Sequence, residues 1–227
     1  MKQRVGPSVR AAFGDLLAGR AGFFVVAEDG SIVPQSAFES RPRLIFPGSF
    51  NPLHEGHLAL ARVAEEVCRP SKPLLFEITA INADKPPLPV ETIEERVRQF
   101  RGRWPVAITT SPTFFEKARF FPGSTFIIGM DTAVRVLQPR FYDNSEEKMK
   151  VGFREFHQTL HCDFMVAGRT VGSGSFMEPE QLEVDDELRP CFAQLISSDR
   201  FRHDISSTQI REAKLRTQQS AGCDQRT

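Results

Sequence analysis

Apolar positions along the chain alternate between two patterns. Short unbroken runs, each the length of a buried strand, recur between segments whose apolar residues are three and four apart. The strand-like runs are "RLIF" (43–46), "PLLFEITA" (73–80), "VAITT" (106–110), "STFIIGM" (124–130), "CDFMVAG" (162–168) and "CFAQLIS" (191–197). Between them, "GHLALARVAEEVC" (56–68) places Leu60, Val63, Ala64 and Val67 on one helical face. "ETIEERVRQF" (91–100) does the same with Ile93, Val97 and Phe100, and Thr92 with Glu95 reads as its capping box. "DTAVRVL" is a short helix, and "EEKMKVGFREFHQTL" carries the stripe Met149, Phe153, Phe156 and Leu160. "SSTQIREAKL" (206–215) closes the series as a helix. Strands alternating with helices predict an α/β fold, a doubly wound parallel sheet covered on both faces. In such sheets ligands bind beyond the carboxyl ends of the strands.

The first forty residues break the alternation. They predict a helix over about 8–19 and a hairpin, "GFFVVAEDGSIVPQ", turning at Asp29-Gly30. Residues 1–40 therefore read as a small N-terminal appendage. Residues 217–227 are polar and read as a disordered tail.

Composition narrows the partners. In 227 residues, 29 Lys and Arg balance 29 Asp and Glu, so nucleic acid and anionic membrane are not expected as bulk partners. Any anion site must be local. No run is long enough to span a membrane, and the N-terminus lacks a signal-peptide core; basic and acid-free up to Asp15, it reads as a short surface helix, with organelle targeting the alternative. Cys68, Cys162, Cys191 and Cys223 show no paired-motif spacing. Cys68 and Cys162 sit in apolar runs, which suits reduced core thiols and a cytoplasmic location.

The chemistry concentrates in "FPGSFNPLHEGHLALA" (46–61), at the carboxyl end of the first core strand. Gly48 permits a turn and a close backbone approach, Pro52 stiffens the loop, and Gly56 removes a side chain at the helix start. The free N–H groups of that start favour phosphate. His54 and His57 add two imidazole donors beside it. His54-Glu55-Gly56-His57 also resembles a zinc-protease helix motif, but that motif needs histidines four apart with no glycine between them. His157 and His161 are four apart, yet no third ligand is visible near them, and they read as a solvated helix flank; no metal site is expected.

Gly48-Ser49-Phe50-Asn51-Pro52-Leu53-His54-Glu55-Gly56-His57 resembles the His-x-Gly-His signature of the nucleotidyltransferase superfamily. Ile205-Ser206-Ser207-Thr208-Gln209-Ile210-Arg211 is similar to its second hallmark, Ile-Ser-Ser-Thr-x-Ile-Arg. Within the superfamily, Asn51 ahead of Pro52 and His54 resembles the nicotinamide and nicotinate mononucleotide adenylyltransferases. Gly129-Met130-Asp131, Asp84-Lys85 with Arg96, and the strand ending at Arg169 resemble further segments of that family. A departure is "LQPRFYDN" after Leu137, where the family carries a tryptophan and Phe141 or Tyr142 would stand instead.

The resemblance implies a Rossmann-like nucleotidylyltransferase fold over residues 41–216 and transfer of AMP from ATP to a pyridine mononucleotide, releasing pyrophosphate in NAD biosynthesis. It implies catalytic roles on the phosphates for His54, His57, Lys85 and Arg211. Gly48, Ser49, Phe50, Gly56, Arg169, Ser206, Ser207 and Thr208 would bind ATP. Asn51, Asp131, Phe114 and Trp104 would meet the acceptor, with Phe115 another aromatic candidate. Mg²⁺ would arrive with ATP, held by phosphates and water. Local readings stand beside these roles: Ser206 with Gln209 is also a helix cap, Asp131 an N-cap, and most of 20 Phe must be core. "TVGSGS" reads as a flexible loop rather than a phosphate cradle, since no lysine follows it. The other readings are an adenylyl- or cytidylyltransferase with another acceptor, such as phosphopantetheine, and a non-catalytic nucleotide sensor. Small nucleotides are the expected partners, with homo-oligomerisation left open.

Overall fold

The computed structural model describes residues 8–81, 86–171, 175–202 and 211. The chain begins with α1 (Val9–Leu17) and a hairpin of β1 (Phe23–Val26) and β2 (Ile32–Pro34). There follow β3 (Leu44–Pro47), α2 (Glu55–Val67), β4 (Leu74–Thr79), α3 (Val90–Arg98), β5 (Val106–Thr109) and α4 (Phe114–Phe120). The second half runs β6 (Thr125–Gly129), α5 (Met130–Val136), α6 (Glu146–Arg154) and β7 (Asp163–Ala167). It ends with β8 (Arg169–Val171), β9 (Ser175–Met177) and β10 (Gln194–Ile196).

Among the described residues, eight strands form one sheet in the order β10-β7-β6-β3-β4-β5-β1-β2. Every pair from β10 to β5 is parallel, as the alternation predicts. β1 pairs antiparallel with β5, and β2 with β1, so residues 23–34 continue the same sheet. From β3 the chain moves outward through β4 and β5, then returns to β6 on the other side of β3. A crevice opens where neighbouring connections diverge in this way.

The side-chain period of two divides the core into layers. Leu44, Phe46, Phe76 and Ile78 face α1, α2 and α3. Ile45, Leu75, Ala107 and Phe126 face α4, α5 and α6. The second layer is rich in phenylalanine, with Phe156 stacked on Phe164 at 4.7 Å and Phe164 on Phe192 at 5.2 Å. Cys68, Cys162 and Cys191 are buried, free thiols, and burial pushes Cys162 up to about 11 and Cys191 to about 12. Among the described residues no helix is long and apolar enough to cross a membrane.

Four local expectations need correction. α3 begins at Val90 with Pro89 at its N-cap, so Thr92 and Glu95 lie inside the helix instead of capping it. Proline suits a helix start because the N–H it lacks has no intrahelical partner there. α4 is an additional helix, capped reciprocally by Thr113 and Glu116. Of "TVGSGS", read as a loop, Thr170 and Val171 belong to β8 and Ser175 to β9, which pair antiparallel, and residues 172–174 lie outside the described residues. The helix of "EEKMKVGFREFHQTL" widens after Arg154 into a π turn over Glu155–Thr159, and His161 ends it with a φ of +53°. There His157 Nδ1 lies 3.2 Å from the Cys162 carbonyl oxygen. The 217–227 tail, Cys223 and all of the closing helix except Arg211 lie outside the described residues.

Candidate active site

The loop after β3 is held from within. The Phe50 ring is fully buried against Phe46, Phe76 and Phe100, although its backbone takes a left-handed φ of +44°. Gly48 makes room for that ring, since a Cβ there would lie 2.6 Å from the Phe50 ζ carbon. Gln99, just after α3, clamps the loop from outside. Its Nε2 donates to the Phe50 carbonyl at 3.0 Å, and its Oε1 accepts from the Leu53 N–H at 2.8 Å.

The loop delivers both histidines to one place. His54 is the N-cap of α2 in extended conformation, and His57 is one turn in. Their rings stack at 3.7 Å with 27° between planes. The His54 backbone N–H donates to His57 Nδ1 at 3.3 Å. A ring accepting at Nδ1 carries its neutral-state proton on Nε2, where it is a donor. The edge of Phe50 supports His57 at 5.0 Å.

Both imidazoles line a cavity of about 900 Å³ over the carboxyl ends of β3, β4, β6 and β7. Arg96 from α3 and Arg211 border the same space. Arg211 Nη1 donates to the Asn51 carbonyl at 2.6 Å, which ties Arg211 to the histidine loop. The Arg96 Nε is buried and has no hydrogen-bond partner among the described residues. Burial lowers its pKa, Glu95 opposes that, and the like charge of Arg211 lowers it further. Two neighbouring guanidinium groups beside a helix N-terminus fit a polyanion.

Gly48, Ser49, Gly56 and Phe114 also line the cavity. Asn51 contributes its carbonyl to Arg211, and Phe50 acts as the buried support of the loop. Asp131 sits in the first turn of α5, whose cavity-lining residues are Thr132 and Arg135. Trp104 does not reach this cavity: it packs edge-on against Phe76 at 5.5 Å and borders a smaller groove under α1. Phe115 turns away too, onto Phe153 at 5.2 Å. Arg169 opens β8 directly after the lining residues Ala167 and Gly168. Lys85, Ser206, Ser207 and Thr208 lie outside the described residues.

A model of the cytidylyltransferase-like family matches residues 45–213. The chain belongs to that family. The match covers all of β3 but its first residue, the histidine loop and Arg211 within one span, and the chain is a nucleotidyltransferase. It is 29% identical over 178 residues to a protein of Gloeobacter violaceus described as a probable nicotinate-nucleotide adenylyltransferase. That alignment covers 74% of this chain and 81% of the relative.

Sequence reasoning gives no role here to four residues that line the cavity or hold something that does: Arg96 and Lys117 line it, Gln99 holds the histidine loop and Glu77 pairs with Lys117. Arg96 had a family likeness but no role, and Gln99 carried no signal. Glu77 carried one, a carboxylate inside the apolar run "LLFEIT". Lys117 was hidden because α4 itself was not anticipated.

Proposed function

We propose that the protein joins AMP from ATP to a pyridine mononucleotide and releases pyrophosphate, a step of NAD biosynthesis. The observation that carries this reading is the stacked His54–His57 pair at the start of α2, facing a cavity that Arg96 and Arg211 also border. The likeness to a probable nicotinate-nucleotide adenylyltransferase supports the choice of acceptor.

In this reaction the 5′-phosphate oxygen of the acceptor attacks the α-phosphorus of ATP. The bond from that phosphorus to the bridging oxygen breaks, and pyrophosphate leaves with the charge. No protein nucleophile is required; positioning and charge stabilisation suffice. The triphosphate lies on the N-terminal end of α2. His57 donates from Nε2 and His54 lines the same phosphates. Arg211 and Arg96 offset the charge gathering on pyrophosphate. Gly48, Ser49 and Gly56 allow close backbone approach. Lys85, Ser206, Ser207, Thr208 and Arg169 join the ATP side on the resemblance of their motifs, and Asn51, Asp131 and Phe114 join the acceptor side.

Among the described residues, the cavity wall has no Asp or Glu. The described part of the wall therefore offers no carboxylate oxygen to a resident divalent cation. Mg²⁺ belongs to the nucleotide substrate in this reading.

The test is pyrophosphate release from Mg²⁺ and ATP with nicotinamide mononucleotide, nicotinate mononucleotide and phosphopantetheine in parallel, with His57→Ala beside the wild type. Release with a pyridine mononucleotide, reduced by about 100-fold or more in the variant, is expected. Release with phosphopantetheine alone, or with no acceptor, overturns the reading.

A further inference from the structure

One residue of the cavity wall, Lys117, belongs to a buried polar cluster that the phosphate chemistry does not use. Glu77, in the middle of the sheet on β4, is fully buried, and the Lys117 side chain is 7% exposed. Lys117 Nζ stands 2.9 Å from Glu77 Oε2. The other carboxylate oxygen accepts from Thr109 Oγ1 at 2.6 Å and Thr79 Oγ1 at 3.0 Å. Glu77 is therefore fixed from both sides, and it fixes Lys117 in turn.

Burying such a pair costs desolvation that apolar residues would avoid, so stability alone is a weak reason for it. Its location gives a better one. Lys117 lines the cavity, as do Thr79 and Phe114. An ammonium has three N–H donors. Glu77 is its one ion-pair partner among the described residues, and the Phe114 ring lies 5.4 Å away. The histidine helix α2 packs on one face of the sheet, whereas α4, which carries Lys117, packs on the other. A triphosphate on α2 and a ligand on Lys117 thus occupy different halves of one cavity.

We propose that Lys117 binds the acceptor nucleotide, donating a hydrogen bond to the carbonyl or carboxyl oxygen on its ring, and that Glu77 is the positioning residue that sets its charge. This rests on the adenylyltransferase reading. The paired carboxylate neutralises the ammonium, so the site treats an amide and a carboxylate as near equals. Removal of the Glu77 charge leaves a surplus cation, which favours the acid.

Steady-state kinetics with both pyridine mononucleotides test this on the full chain. Lys117→Met should raise the acceptor KM roughly 10- to 100-fold, the loss of one charged hydrogen bond, and leave the KM for ATP unchanged. Glu77→Gln should shift the kcat/KM ratio about tenfold toward nicotinate mononucleotide, a change a merely structural role would not produce. Should Lys117→Met fail to fold, the double variant Glu77→Gln/Lys117→Met, which leaves no lone buried charge, must show the same rise in acceptor KM. Wild-type turnover with an unchanged acceptor KM in the lysine variants, or an unchanged ratio in Glu77→Gln, overturns this proposal alone. No wild-type turnover with either mononucleotide overturns the adenylyltransferase reading and this proposal with it.

Discussion

At the scale of single residues, the site depends on a glycine and a phenylalanine that brace the histidine loop against each other. Gly48 has no Cβ where one would stand 2.6 Å from the Phe50 ring. That ring cannot yield, because it is fully buried among three other phenylalanines. Gly48→Ala therefore forces the loop carrying His54 outward. Overpacking of this kind costs about 1–3 kcal/mol, which in a chain of this size lowers Tm by roughly 2–10 °C. Pyrophosphate release should fall further than stability does, because Phe50 also supports His57 at 5.0 Å. A thermal melt and the pyrophosphate assay on the same preparation check both. An alanine variant with wild-type Tm and rate would show that the loop is not braced in this way.

At the scale of elements, the strands and helices most legible in the sequence are those with one pattern and one environment. β3, β4, β5, β6 and β7 are apolar runs buried on both sides, and they lie where their runs predict. α4 was not legible, because "FFEKARF" carries apolar residues toward several neighbours at once. Phe114 meets Phe126 and Phe164, while Phe115 meets Phe153 and Tyr142, so the short segment shows no single stripe. The start of α3 is obscured for a different reason: Thr92 and Glu95 have cap chemistry, but Pro89 already caps the helix. The histidine loop was legible because glycine, proline and paired histidines are strong local signals. The Glu77–Lys117 pair was not, because its partners are 40 residues apart on separate elements. With only seven residues, α4 depends on its cap. The Thr113 hydroxyl accepts from the Glu116 N–H, and Glu116 Oε2 accepts from the Thr113 N–H at 3.1 Å. Thr113→Ala should cost about 0.5–2 kcal/mol. It should also speed hydrogen exchange at the Glu116 amide, measured by NMR or mass spectrometry. Unchanged protection there would mean that packing alone holds the helix start.

At the scale of the whole molecule, the cavity is shared by both faces of the sheet: α2 and α3 supply His54, His57 and Arg96 from one side, α4 and α5 supply Lys117 and Thr132 from the other. Anything that disturbs the sheet therefore disturbs both halves. Its edge beyond β5 is closed by the N-terminal hairpin. All four residues of β1, Phe23, Phe24, Val25 and Val26, are buried, and they pair residue by residue with Thr109 back to Val106. Phe24 and Val26 enter the α2–α3 layer, while Phe23 and Val25 enter the other, where Phe23 packs on Phe121 at 5.0 Å. The family match begins at residue 45, so it does not account for these strands. The packing does: without them β5 would present an open edge and two apolar layers would meet water. Removal of residues 1–40 should give a chain that aggregates on expression. Phe24→Asp in the full-length chain should lower Tm by more than 10 °C, since it places a lone charge in a dry layer. Size-exclusion chromatography and a melt decide the matter. A truncated chain that stays soluble and melts like the full-length one would mean that the core closes without β1 and that the hairpin serves some purpose other than completing the sheet.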